Sequence, residues 1–163
     1  MSDSFNPQQL KSDLMPHWSV VGATLSMLAA YVYICHYTGT EWQQGVSEQQ
    51  RVVIRTIFYI LTIIGFPLIN LLRHIQLRLN QTMPGPKPAK NRYFLTILIS
   101  MTLAESIGVM GLVMYILGDD FNTFYIFIVL STLAVFLYRP KISEYRAIIE
   151  ALADHDTNSK GLE

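Results

Sequence analysis

The stretch YFLTILISMTLAESIGVMGLVMYIL, residues 93–117, carries one charged side chain, Glu105, in an otherwise lipid-compatible run. Its length exceeds the roughly 20 residues a helix needs to cross the hydrocarbon core. It does not alternate as a barrel strand would, and backbone groups in lipid must bond within their own segment, so a helix is the workable reading. Residues 18–37, 52–72 and 121–138 read the same way. The expected fold is all-α: a polytopic membrane protein with four transmembrane helices in two hairpins, one domain over residues 1–163.

Composition agrees with that reading. Hydrophobic residues make up 51% of the chain and charged residues 15%, and the charges collect between the apolar stretches. Such segregation marks a membrane protein rather than a soluble domain. With a formal net charge of zero and no basic, aromatic-interleaved patch, no nucleic-acid partner is expected. The lone cysteine, Cys35, lies inside an apolar run and reads as a buried spectator thiol. The polar opening segment and the length of the first apolar run do not suit a secretory signal, so the first helix is expected to stay in the mature protein.

Counting Lys and Arg sets the expected orientation. Arg73, Arg78, Lys87, Lys90 and Arg92 lie between the second and third spans, and Arg139, Lys141, Arg146 and Lys160 follow the fourth. Those segments are expected in the cytoplasm, with both termini, in a bacterial inner membrane. Trp18, Tyr37, Trp42, Tyr93, Phe121 and Tyr138 fall near span ends as an interfacial aromatic belt would. On the far side Arg55 can snorkel from the first turn of the second helix.

Between the hairpins, Leu72, Ile75 and Leu79 repeat at helical spacing and carry the second helix past the bilayer. Residues 81–92 form a Pro-rich linker, because Pro84, Pro86 and Pro88 remove donors and fix φ. After Pro140, the apolar positions Ile142, Tyr145, Ile149 and Leu152 oppose Glu144, Arg146 and Glu150. Residues 141–154 therefore read as a short amphipathic helix at the membrane surface or against a partner. Pro67, with Gly65 and Asn70, marks an expected kink in the second helix.

Glu105 is the residue that can carry chemistry. At the bilayer midplane a charged acid costs roughly 2.5 to 3.5 kcal/mol, so it is expected either neutral and reversibly protonated, or paired with polar groups. No Lys or Arg lies at its depth. Ser131 and Thr132 on the fourth helix, and Thr102 one turn away, are the expected hydrogen-bonding partners, giving a site for a proton or a sodium ion. The plainer reading is that a protonated Glu105 only ties helices together. Ser100, Ala104 and Gly108, joined by Gly111, form a small-residue stripe beside it, and Gly22, Ser26 and Ala30 form another on the first helix. Both are expected packing faces, within the chain, in a homo-oligomer, or against other membrane subunits.

The run Leu103-Ala104-Glu105-Ser106-Ile107-Gly108-Val109-Met110-Gly111-Leu112-Val113 resembles the carboxylate helix of the c-type proteolipids of rotary ATPases. In that family the glutamate binds the transported proton or sodium ion. The resemblance sets Glu105 in that role, with Gly111, Leu112 and Val113 as the glycine-leucine-valine that follows; Met110 stands where the family often has tyrosine. It covers this one helix, and neither of the first two helices has the family's dense glycine repeat.

Other constellations carry less. His17 and His74 at the cytoplasmic boundary are of the type that ligates a b-type haem, but interfacial histidines are common, and no cofactor is expected. Asp119 and Asp120 with Glu41 and Glu48 read as a solvated hairpin end rather than a metal site. No nucleophile–base pair, phosphate loop or metal motif occurs, so an enzyme is not expected. The expected protein is self-associating or complex-bound, with Glu105 binding a proton or cation. The alternative is a non-transporting accessory or assembly subunit.

Overall fold

The computed structural model describes residues 7–83 and 88–160; Pro84, Gly85, Pro86 and Lys87, the middle of the expected linker, lie outside the described residues. Among the described residues every regular element is helical: α1 (Pro7–Thr38), a 3₁₀ turn (Gly39–Trp42), α2 (Glu48–Thr82), α3 (Ala89–Ile116), α4 (Phe121–Leu137) and α5 (Ile142–Lys160). The all-α membrane fold read from the sequence is the fold observed.

Three segments are long and apolar enough to cross a membrane: Ser12–Tyr37, Glu48–Thr82 and Ala89–Ile116. The fourth is shorter than a full span. α4 has 17 residues, about 26 Å at 1.5 Å per residue, and reaches spanning length only together with α5, from which it is bent by 41°. Pro140 accounts for the bend, since a proline ring cannot continue the helical hydrogen bonding of the preceding turn. The protein is thus multi-pass, with three spans, or four if the bent pair counts as one.

α3 is the centre of the packing. Its positions Ile97, Met101, Ala104, Ile107 and Met114 are at most 2% exposed. α4 covers the face that carries Ala104, Gly108 and Gly111, while α1 and α2 flank α3 and lean on it rather than on each other. α1 and α3 run side by side in the same direction, because His17 meets Tyr93, Tyr31 meets Glu105 and Cys35 meets Tyr115 in order along both helices.

At the ends of the helices α2 follows expectation, while α5 and the aromatic belt depart from it. α2 continues to Thr82; Ile75 and Leu79 are 44% and 43% exposed, and the packed positions there are Ile69 and Arg73. α2 also runs through Pro67 as one helix. α5 folds back onto α1, α2 and α3 through Tyr145 and Ile148, leaving Ile142 of the expected apolar stripe 45% exposed. Of the aromatic belt, Trp18, Tyr37 and Trp42 are exposed, but Tyr93 and Tyr138 are buried, each with its hydroxyl hydrogen-bonded inside the protein.

Candidate functional site

Glu105 sits near the middle of α3, on the side turned toward α1, and is half-buried. Its carboxylate Oε1 accepts a hydrogen bond of 2.9 Å from the Tyr31 hydroxyl. Tyrosine in the interior of a span, away from the interfacial belt, brings a polar tip that needs a partner; Glu105 is that partner. Among the described residues no Lys, Arg or His forms an ion pair with Glu105.

The three partners expected from the sequence are placed close by but committed elsewhere. Ser131 donates to the Ala104 carbonyl at 2.7 Å, Thr132 to Ile128 at 2.8 Å and Thr102 to Leu98 at 3.0 Å. Hydroxyls on helices readily bond the carbonyl one turn back, and Thr102 and Thr132 follow that habit. Ser131 instead ties α4 to α3 and does not reach the carboxylate. Tyr31 was not singled out by the sequence reading; its signal was an aromatic hydroxyl well inside an apolar run.

The stripe of Ser100, Ala104, Gly108 and Gly111 does what small residues do between membrane helices. All four are buried. A Cβ on Gly111 would lie 2.7 Å from the Phe127 Cβ and 3.1 Å from the Phe124 carbonyl, and one on Gly108 would collide with the Leu28 side chain. The α1 stripe is different: Gly22 and Ser26 are exposed, Ala30 is half-buried, and a Cβ on Gly22 would meet nothing within 4 Å. Gly22 and Ser26 of that stripe face outward.

At the linker end of the bundle, Arg73 is 4% exposed. Its guanidinium donates to the carbonyls of Tyr138 (2.5 Å) and Arg139 (3.1 Å), where α4 ends, and pairs with Glu144 at 2.6 Å. A cation at a helix C-terminus satisfies carbonyls that have no partner within the helix. Tyr93 completes this corner: its hydroxyl donates to Glu144 at 3.0 Å and accepts from the Lys141 amide at 2.8 Å. Beside it His17 is fully buried among Tyr93, Phe94 and Tyr145, with ring centroids 5.1, 5.5 and 6.3 Å away, and neither ring nitrogen makes a well-formed hydrogen bond. His74, its imagined haem partner, is exposed on α2, a helix that does not pack on α1.

The opposite end is tied by charge. Asp119, 7% exposed, pairs with Arg55 at 3.2 Å, and Arg51 donates to the Gly118 carbonyl. Arg55 therefore binds the α3–α4 turn, where the sequence reading had it snorkelling. Asp120 is the N-cap of α4, accepting from the Thr123 amide at 2.8 Å. That amide, more than the nearby Arg55 charge, holds its carboxyl below the usual carboxylate range. Among the described residues no three His, Cys, Asp or Glu side chains gather as a metal site would require.

No family model, curated protein or solved structure matches the chain. The site has to be read from its own geometry.

Proposed function

We propose that this chain is a membrane protein that holds a proton on Glu105 and acts within a membrane assembly. The observation that carries the reading is the Glu105–Tyr31 pair, a mid-span carboxylate whose partner is a neutral phenol. In hydrocarbon the ionised acid is disfavoured by desolvation, while the protonated acid can accept from Tyr31 on one oxygen and donate from the other. The reading narrows the expected cargo from a proton or sodium ion to a proton. A bare cation needs a cage of several oxygens around the carboxylate, and among the described residues Tyr31 is the one side chain hydrogen-bonded to Glu105.

The local resemblance of α3 to the proteolipid carboxylate helix belongs to the same proposal, as does an orientation that puts the linker and both termini in the cytoplasm of a bacterial inner membrane. A non-transporting accessory subunit is the second reading. It is favoured by the half-burial of Glu105, which a partner helix would complete.

Infrared spectroscopy of the protein in lipid tests the choice. The proposal expects a carboxyl band that responds to pH, is indifferent to sodium and is absent from Glu105→Gln. A band responsive to sodium overturns the narrowing to a proton, and a band constant at every pH favours the accessory reading.

A further inference from the structure

We propose that the outward face of α3, centred on Thr102, Glu105 and Ser106, is the contact surface for a second copy of this chain, oriented the same way in the membrane. The proposal rests on the neutral Glu105 of the preceding reading. α3 has four sides: α4 covers one, and α1 and α2 take the two flanks. The remaining side, between α1 and α2, is open along Leu95, Leu98, Thr102, Ser106 and Val109, all exposed.

Bare lipid suits this face poorly. Leu95, Leu98 and Val109 are at home in hydrocarbon, but the half-buried Glu105 carboxyl is not, because lipid offers no hydrogen-bond partner for its second oxygen. The polarity of Thr102, Glu105 and Ser106 is also self-complementary. Thr102 donates to Leu98 at 3.0 Å and Ser106 to Leu103 at 2.7 Å, so their protons are committed and their oxygens remain acceptors. A protonated Glu105, with Oε1 already accepting from Tyr31, has one donor to offer. Two copies related by a two-fold axis along the membrane normal bring equal depths together. Glu105 of each copy then faces Thr102 and Ser106 of the other, and the hydrogen bond is made twice. Thr102 and Ser106 lie four residues apart and are small, the spacing that lets helices approach closely.

The test uses the full chain in lipid vesicles, with Cys35 replaced by Ala and a single cysteine introduced by Leu98→Cys or Val109→Cys, which leave the polar trio intact. Oxidation should cross-link these variants into dimers, whereas Ser26→Cys, on the outward face of α1, should stay largely monomeric. Dilution with lipid should show Glu105→Gln, which keeps a neutral donor, associating as the unsubstituted chain does. Glu105→Leu should weaken association on the order of tenfold. Equal cross-linking at Ser26→Cys and Val109→Cys, a monomer at every protein-to-lipid ratio, or undiminished association of Glu105→Leu would each overturn the proposal. The two ideas also separate: an infrared band that titrates in a monomer removes the dimer and keeps the proton site. A dimer without titration does the reverse.

Discussion

Tyr31 and His17 are two polar side chains on the same helix with opposite fates. Tyr31 reaches a carboxylate at 2.9 Å; His17 is fully buried and its two ring nitrogens have no well-formed hydrogen bond. Removing the Tyr31 hydroxyl in Tyr31→Phe leaves the Glu105 carbonyl oxygen without its donor. The expected outcome is an infrared carboxyl band at higher frequency and a stability loss of about 1 kcal/mol. For His17 the sign is reversed. An unsatisfied buried polar group costs about 1 to 3 kcal/mol, so His17→Phe, an aromatic ring among aromatic rings, should raise the thermal unfolding temperature in detergent. A lower temperature would mean that the Asp13 and Lys90 backbone groups beside the imidazole hold it. Glu105 stood out in the sequence because position along an apolar run and charge are linear properties. Its partner did not, since which hydroxyl turns outward depends on helix rotation: Ser131 and Thr132 stand near the right level but bond other groups.

The ends of the helices carry their own tests. Asp120 caps α4 through the Thr123 amide, and Asp120→Ala should cost about 1 kcal/mol. Because its carboxyl titrates below the ordinary value, the ionised cap stabilises the fold fully at pH above that ordinary value. The contribution is lost as pH falls through the lowered one. Thermal unfolding scans from neutral to acid pH should therefore show a shallower acid limb in Asp120→Asn, which keeps the cap and removes the titration. Between α3 and α4, Gly111→Ala would press a methyl group against Phe127 and the Phe124 carbonyl, and should destabilise by about 1 to 3 kcal/mol in the same assay. The apolar stretches 52–72 and 93–116 lie inside α2 and α3, which run on beyond them, and were legible because lipid filters composition so sharply. The stop after α4 was visible too, in Pro140. The continuation of α2 past residue 72 was legible as well, in the helical spacing of Leu72, Ile75 and Leu79.

For the molecule as a whole, the α3–α4 hairpin was readable, whereas the expected α1–α2 hairpin does not pack as one and the centrality of α3 was not readable. Sequence order places α1 beside α2, but both lean on α3, and the choice rests on side-chain fit that no single segment reveals. The same holds for α5, whose amphipathic pattern suited a surface helix yet is drawn onto the bundle by Tyr145, Ile148 and the Arg73–Glu144 pair. Replacing one member of a buried pair strands the other, so Glu144→Ala should cost about 3 kcal/mol or more. It should also expose α5 to protease at concentrations that leave the unsubstituted protein intact.

Arg73 also has a history set by the order of synthesis. Its guanidinium precedes by 71 residues the carboxylate that neutralises it, and the Tyr138 and Arg139 carbonyls it grips come late as well. For the 71 residues of synthesis that separate them, then, the nascent protein carries a cation whose resting place is incomplete. Only a copy that has emerged through Glu144 can close over it. A chain that ends before Tyr138 leaves the Arg73 guanidinium without the two carbonyls and the carboxylate that hold it in the finished fold.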